Sequence, residues 1–194
     1  MGLSKAEKKQ AKKIAQSVVN KVVETKTSCI AVGATSASSS GYLKELSLLS
    51  QGDQDYAREG SQVKATKLQL RGYVESDSTD VHNAIRLMLV KAKPGAIPGL
   101  ADMPTVYGCI RPQMRTVYTI IYDKVHQMNT HVSGTVNRRA LNWSFGLKNQ
   151  MIKFDSTGAS NASIGGGVFL YVVSDSTATP HPEFSFESQL YFKG

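Results

Sequence analysis

Lys67-Leu68-Gln69-Leu70-Arg71-Gly72-Tyr73-Val74 sets apolar residues at nearly every second place. A period of two turns one row of side chains toward a core and the other toward solvent, which is how a β-strand buried on one face reads. Phe184-Ser185-Phe186-Glu187 repeats the pattern, and Ile85-Arg86-Leu87-Met88-Leu89 does so less cleanly. Working outward, apolar and β-branched runs at 43–49, 63–74, 84–90, 116–122, 125–132, 141–147, 151–154, 168–173 and 184–192 make nine candidate strands. Gly, Pro, Asp and Ser punctuate them, and no strand-then-helix alternation runs through them. The class expected is all-β, an antiparallel sandwich or jelly roll. Long loops are expected at 93–104 and 155–167, of the kind that lie at the end of a sandwich and carry contacts.

A chain of 194 residues suffices for one such core plus an appendage. The appendage is 4–24, which holds neither proline nor glycine. Ser4-Lys5-Ala6-Glu7 fits a capping box, with the Ser4 hydroxyl accepting from the Glu7 amide and the Glu7 carboxylate accepting from the Ser4 amide. Nothing breaks a helix from there until Thr25-Lys26-Thr27-Ser28, which allows about 20 residues, or about 30 Å. Ala11, Ile14, Ala15, Val18 and Val22 form a narrow stripe suited to self-association. Lys5, Lys9 and Lys13 make one row and Lys8 and Lys12 the next, so like charges repel along the isolated helix by a few tenths of a kcal/mol per pair.

The net charge is +8, and residues 1–27 carry seven lysines against Glu7 and Glu24, leaving only +3 for the much longer body. Charge this concentrated favours a polyanion, nucleic acid or an acidic membrane surface, over a merely solvated run. The segment has no Trp, Phe or Tyr to anchor a helix on a membrane. It has no arginine either, so base reading is not expected. The contact expected is non-specific and salt-sensitive, between phosphates and Lys5, Lys8, Lys9, Lys12, Lys13 and Lys21.

Other chemistry finds little support. Cys29 and Cys109 give no disulfide framework. No run of about 18 apolar residues exists to span a bilayer, the basic start lacks the apolar region of a secretory signal, and Ala6 stands where a myristoylation motif wants Ser or Thr. A soluble chain, intracellular at synthesis, is expected. His82, His126, His131 and His181 are scattered without metal-site spacing. Gly165-Gly166-Gly167 precedes a strand rather than a helix, no serine nucleophile elbow occurs, and neither an enzyme nor a cofactor is expected. Asp53, Asp55, Asp77 and Asp80 sit in expected loops, as turn caps or as calcium ligands between subunits. Trp143 and the tyrosines read as core or interface anchors.

The domain organisation expected is a basic helical arm over 1–27, a Ser/Gly-rich linker over 28–42 containing the Gly33–Gly41 stretch GATSASSSG, and a shell-like body over 43–194. In this order, with Leu48-Leu49-Ser50-Gln51-Gly52-Asp53, Arg58-Glu59-Gly60-Ser61-Gln62-Val63, Thr119-Ile120-Ile121-Tyr122-Asp123-Lys124, Gly167-Val168-Phe169-Leu170-Tyr171-Val172-Val173-Ser174-Asp175 and the aromatic last strand, the chain resembles the single-jelly-roll capsid proteins of very small icosahedral viruses. These are the satellite tobacco necrosis virus type and the related capsids of circular single-stranded DNA viruses. The resemblance implies an eight-stranded jelly roll and self-assembly into a small T=1 shell around single-stranded RNA or DNA. It also implies a virion location after synthesis in a host cell. A lysine-based, capped helix departs from the arginine-rich arms of the DNA-virus members and leans toward the satellite type. The other class left open is a basic single-strand-binding β-domain acting as a small oligomer.

Overall fold

The computed structural model describes residues 4–22, 24–77, 83–128, 135–158, 160–177 and 179–194, with side chains of the N-terminal helix described through residue 15. The elements in chain order are α1 (Lys5–Val22), β1 (Thr25–Ser36), β2 (Tyr42–Glu45), β3 (Gln62–Glu75), β4 (Ala84–Ala92), a 3₁₀ turn (Leu100–Asp102), α2 (Met114–Val117), β5 (Tyr118–Gln127), β6 (Arg138–Phe154), β7 (Ser163–Gly165), β8 (Val168–Ser174) and β9 (Glu183–Lys193). One sheet runs β1-β9-β3-β6-β7 and the other β2-β8-β4-β5, antiparallel throughout. The ladders β1–β9, β2–β8, β3–β6 and β4–β5 nest one inside the next. That nesting is a long hairpin rolled over on itself, so the fold is a jelly roll of eight strands with β7 added at one edge.

Alternation places the core. Leu68, Leu70 and Val74 of β3 and Phe184, Phe186, Leu190 and Phe192 of β9 point between the sheets, where they meet Ile85, Leu87 and Leu89 of β4 and Leu170 and Val172 of β8. Each such aromatic or aliphatic side chain stabilises the fold by about 1.5–3 kcal/mol through burial. Gly72 takes the inward place between Leu70 and Val74 because nothing larger fits. A Cβ there would lie 2.0 Å from the Ser185 carbonyl oxygen and 2.6 Å from the Phe186 ring.

The central strands of the second sheet are buried on both faces, which is why β4 alternates poorly and β8 reads as a continuous apolar run. Ala84, Met88 and Val90 with Phe169, Tyr171 and Val173 form a second core outside that sheet, roofed by Met103, Val106 and Met114 of the β4–β5 connection. Three polar side chains fasten the roof. Arg86 forms a bidentate pair with Asp123 (2.8 and 2.7 Å) and donates to the carbonyls of Thr105 (2.8 Å) and Gly108 (2.7 Å). Tyr171 donates to the Pro104 carbonyl and Tyr118 to that of Asp102. Burial pushes the Tyr171 phenol up to about 12, so it remains a donor.

The structure corrects the expected organisation at four places. Residues 28–42 are not a linker: β1 occupies most of that span and pairs with β9 from Thr25 to Ser36, so the body begins at Thr25 rather than 43. β-Branched Thr25, Thr27, Ile30, Val32 and Thr35 suit a strand, and Val32 is buried. Beyond it, Ala37 is 1% exposed, with its amide bonded to the Pro182 carbonyl and its own carbonyl accepting from the Ser174 hydroxyl. The runs at 116–122 and 125–132 meet in one strand, β5 (Tyr118–Gln127), with 129–132 outside the described residues, and those at 141–147 and 151–154 form one strand, β6. Lys148 and Asn149 interrupt β6 with positive φ (52° and 57°), which broke the alternation in sequence without ending the strand. The expected loop at 155–167 contains β7.

Candidate nucleic-acid interface

The capping box forms at the start of the helix. The Ser4 amide donates to Glu7 Oε2 (2.7 Å), the Glu7 amide donates to Ser4 Oγ (3.3 Å), and these bonds hold the Glu7 carboxyl below its usual range. Across 18 residues α1 spans about 27 Å. Lys5, Lys8, Lys9, Lys12 and Lys13 are all exposed, and none has an ion-pair partner among the described residues. Several stand in the first turns, where the helix dipole favours acids, so the isolated helix holds them against both the dipole and one another. Ala11, Ile14 and Ala15 are exposed as well, Ile14 by 58%. The side chains of Lys21, Val18 and Val22 lie outside the described residues.

Lys26 belongs to the body rather than the arm. It is buried in β1 and paired with Glu59 at 2.7 Å, and that hydrogen bond raises its ammonium above the ordinary lysine value.

The strand register gathers further cations that the sequence had left spread along the body. On the solvent face of the five-stranded sheet, Lys153 stands opposite Gln62, the next row is Thr25, Lys193, Lys64 and Met151, and the row after is Thr27, Tyr191, Lys67 and Gly146. A bulge at Thr66 makes this possible. Against β9, one extra residue in β3 lets Lys64 and Lys67, three apart in sequence, share a face. Lys67 also lies over the Tyr191 ring, with Nζ 5.2 Å from its centroid.

Elsewhere, His126 is a core side chain stacked near Trp143 (centroids 6.1 Å), and His181 accepts from or donates to Ser176 Oγ through Nδ1 at 3.0 Å. His82, His131 and Asp80 lie outside the described residues. Asp53 and Asp55 sit in the β2–β3 loop and Asp77 beyond the opposite end of β3, so they do not converge within one subunit. Among the described residues no three His, Cys, Asp or Glu side chains are grouped to hold a metal, and no helix is long and apolar enough to cross a membrane. Cys29 and Cys109 are exposed and unpaired with each other.

No family model and no curated protein matches the chain. Solved structures resemble it only remotely. Cocksfoot mottle virus is 13% identical over 88% of this chain and 93% of that one, with a TM-score of 0.42. Desmodium yellow mottle tymovirus is 12% identical over 89% and 88%, with a TM-score of 0.39. Latent PorU from Porphyromonas gingivalis is 8% identical over 88% of this chain and 13% of that one, with a TM-score of 0.40. The assignment as a jelly roll therefore stands on this chain's own strand order.

Proposed function

We propose that the chain is the coat subunit of a small icosahedral particle, with its jelly-roll body associating into a closed shell and its lysine arm engaging a single-stranded genome. One observation carries the reading: a capped helix with every described lysine exposed is separated by two residues from the first strand of a jelly roll. Both cores of the body are complete without the described residues of that helix. An element whose described side chains enter neither core yet concentrate charge against their own electrostatics is explained by a polyanionic partner. In a shell of sixty copies, the smallest closed icosahedron, arms at +4, six lysines against Glu7 and Glu24 with Lys26 counted in the body, would set about 240 positive charges inside, enough to neutralise about as many phosphates. The Ala11, Ile14, Ala15, Val18 and Val22 stripe would then be covered where neighbouring helices meet, offsetting the entropy of ordering them.

Electron microscopy and light scattering of the purified chain test this. Closed particles of uniform size, with nucleic acid copurifying, are expected. A stable dimer or other small oligomer at high concentration would sink the coat reading and leave a basic single-strand-binding domain in its place.

A further inference from the structure

The solvent face of the β1-β9-β3-β6-β7 sheet is polarised along its strands. At the end where the chain enters from α1, Lys153, Lys193, Lys64 and Lys67 occupy successive rows with no acidic residue among them. The next row, Cys29, Gln189, Gln69 and Ser144, is neutral. Among the paired residues of this face acids enter only beyond it: Glu187 opposite Arg71, then Glu183 beside Glu75, which pairs with Arg138, while Glu24, Asp55 and Glu59 lie at the entry end about Lys26, which alternates to the other face of β1. Lys64 and Lys193 are direct cross-strand partners, which sets their side chains next to each other on this face. Lys64, Lys67 and Lys153 have no ion pair among the described residues. The helix that carries the other unpaired lysines ends three residues before β1 begins, at the same edge of this face.

We propose that this lysine-bearing end of the sheet, centred on Lys64, Lys67 and Lys153, is a second phosphate-contact surface for single-stranded nucleic acid, continuous with the arm. The binding surface follows from charge complementarity and register. That it faces the interior of a shell rests on the coat-subunit reading above. Lysines without base-facing arginines take hold of the backbone, so the contact is indifferent to sequence and serves RNA and DNA alike.

The test uses the full-length chain and fluorescently labelled oligo-dT and oligo-U single strands, titrated across a salt series. Lys64→Gln, Lys67→Gln and Lys153→Gln are combined, and the matching control combines Lys93→Gln, Arg115→Gln and Lys124→Gln, all exposed on the other sheet and its roof. The sheet-face variant is expected to lose about 2 from the slope of log affinity against log salt, so the fall in affinity between about 50 and 200 mM shrinks by about 20-fold. The control keeps the wild-type slope. An unchanged slope in the sheet-face variant, or an equal loss in the control, overturns the proposal, with circular dichroism confirming that both variants are folded. Whether wild-type chain forms particles is read separately: their absence sinks the coat reading without touching the slope comparison.

Discussion

Arg58 is fully buried, and no carboxylate lies within ion-pair distance of it among the described residues. Its guanidinium instead donates to the carbonyls of Leu49 (3.3 Å), Gly60 (2.6 Å) and Ser160 (3.4 Å), and its plane sits 4.6 Å from the centroid of Phe154. One side chain thus ties the β2–β3 loop to the β6–β7 loop. Arg58→Met removes all three bonds and leaves the buried Leu49 carbonyl without this donor, and a loss of about 1–3 kcal/mol is expected. Arg58→Lys should recover little, because an ammonium cannot reproduce the fork. Urea unfolding at unchanged m-value measures this, and a wild-type midpoint for Arg58→Met would refute the pinning role. His126 makes a different prediction. Burial, reinforced by Arg139 and Lys124, lowers its pKa to about 4 from an ordinary 6.5. The unfolded chain therefore binds this proton first as pH falls. Above about 6.5 the residue contributes no slope, and between about 6.5 and 4 stability should decline by up to about 1.4 kcal/mol per pH unit. His126→Phe should flatten the fall in melting temperature across that window. Equal slopes in the two proteins would show that other groups govern it.

At the scale of elements, the β4–β5 connection is held to its sheet chiefly by Arg86, 7% exposed, through one carboxylate and a cluster of carbonyls. Arg86→Met removes the donors and leaves Asp123 without its partner. The segment 100–111 is then expected to exchange its amides faster and to become the first site of limited proteolysis, while amides of β3 and β9 keep their protection. Uniformly faster exchange would mean that Arg86 supports the whole sheet rather than its roof. The same elements show what could be read beforehand. β3 and β9 were legible because one face is buried and the other wet, and the capping box because its two partners lie three residues apart. β1 was not: its β-branched residues suit a strand, but they run into the small, polar Gly33-Ala34-Thr35-Ser36, and pairing with β9, residues 183–193, carries the strand through to Ser36. β6 looked like two strands because Lys148 and Asn149 turn locally where its register with β3 shifts, without ending the strand. The sheet-face lysines were hidden by the Thr66 bulge, since a plain alternation puts residues 64 and 67 on opposite faces.

For the whole molecule, fold and charge are separable. The body closes its cores from β1 onward, and the described arm residues enter neither of them. Neutralising the arm should therefore change binding without changing stability. In the combined variant Lys5→Gln, Lys8→Gln, Lys9→Gln, Lys12→Gln and Lys13→Gln, the salt slope for a single-stranded oligonucleotide is expected to fall by about 3.5, at about 0.7 per lysine. Removing like-charge repulsion and unfavourable dipole contacts should leave α1 at least as helical, so lost binding could not be blamed on lost structure. The unfolding midpoint of the body should stay within about 0.5 kcal/mol of wild type, as for surface changes generally. Particles, where they form, should carry less nucleic acid, read from the ratio of absorbance at 260 and 280 nm. An unchanged slope and full nucleic-acid content would move the polyanion site off the arm altogether. A lowered midpoint with an unchanged slope would make α1 part of the fold, which the exposure of Lys5, Lys8, Lys9, Lys12, Lys13 and Ile14 argues against.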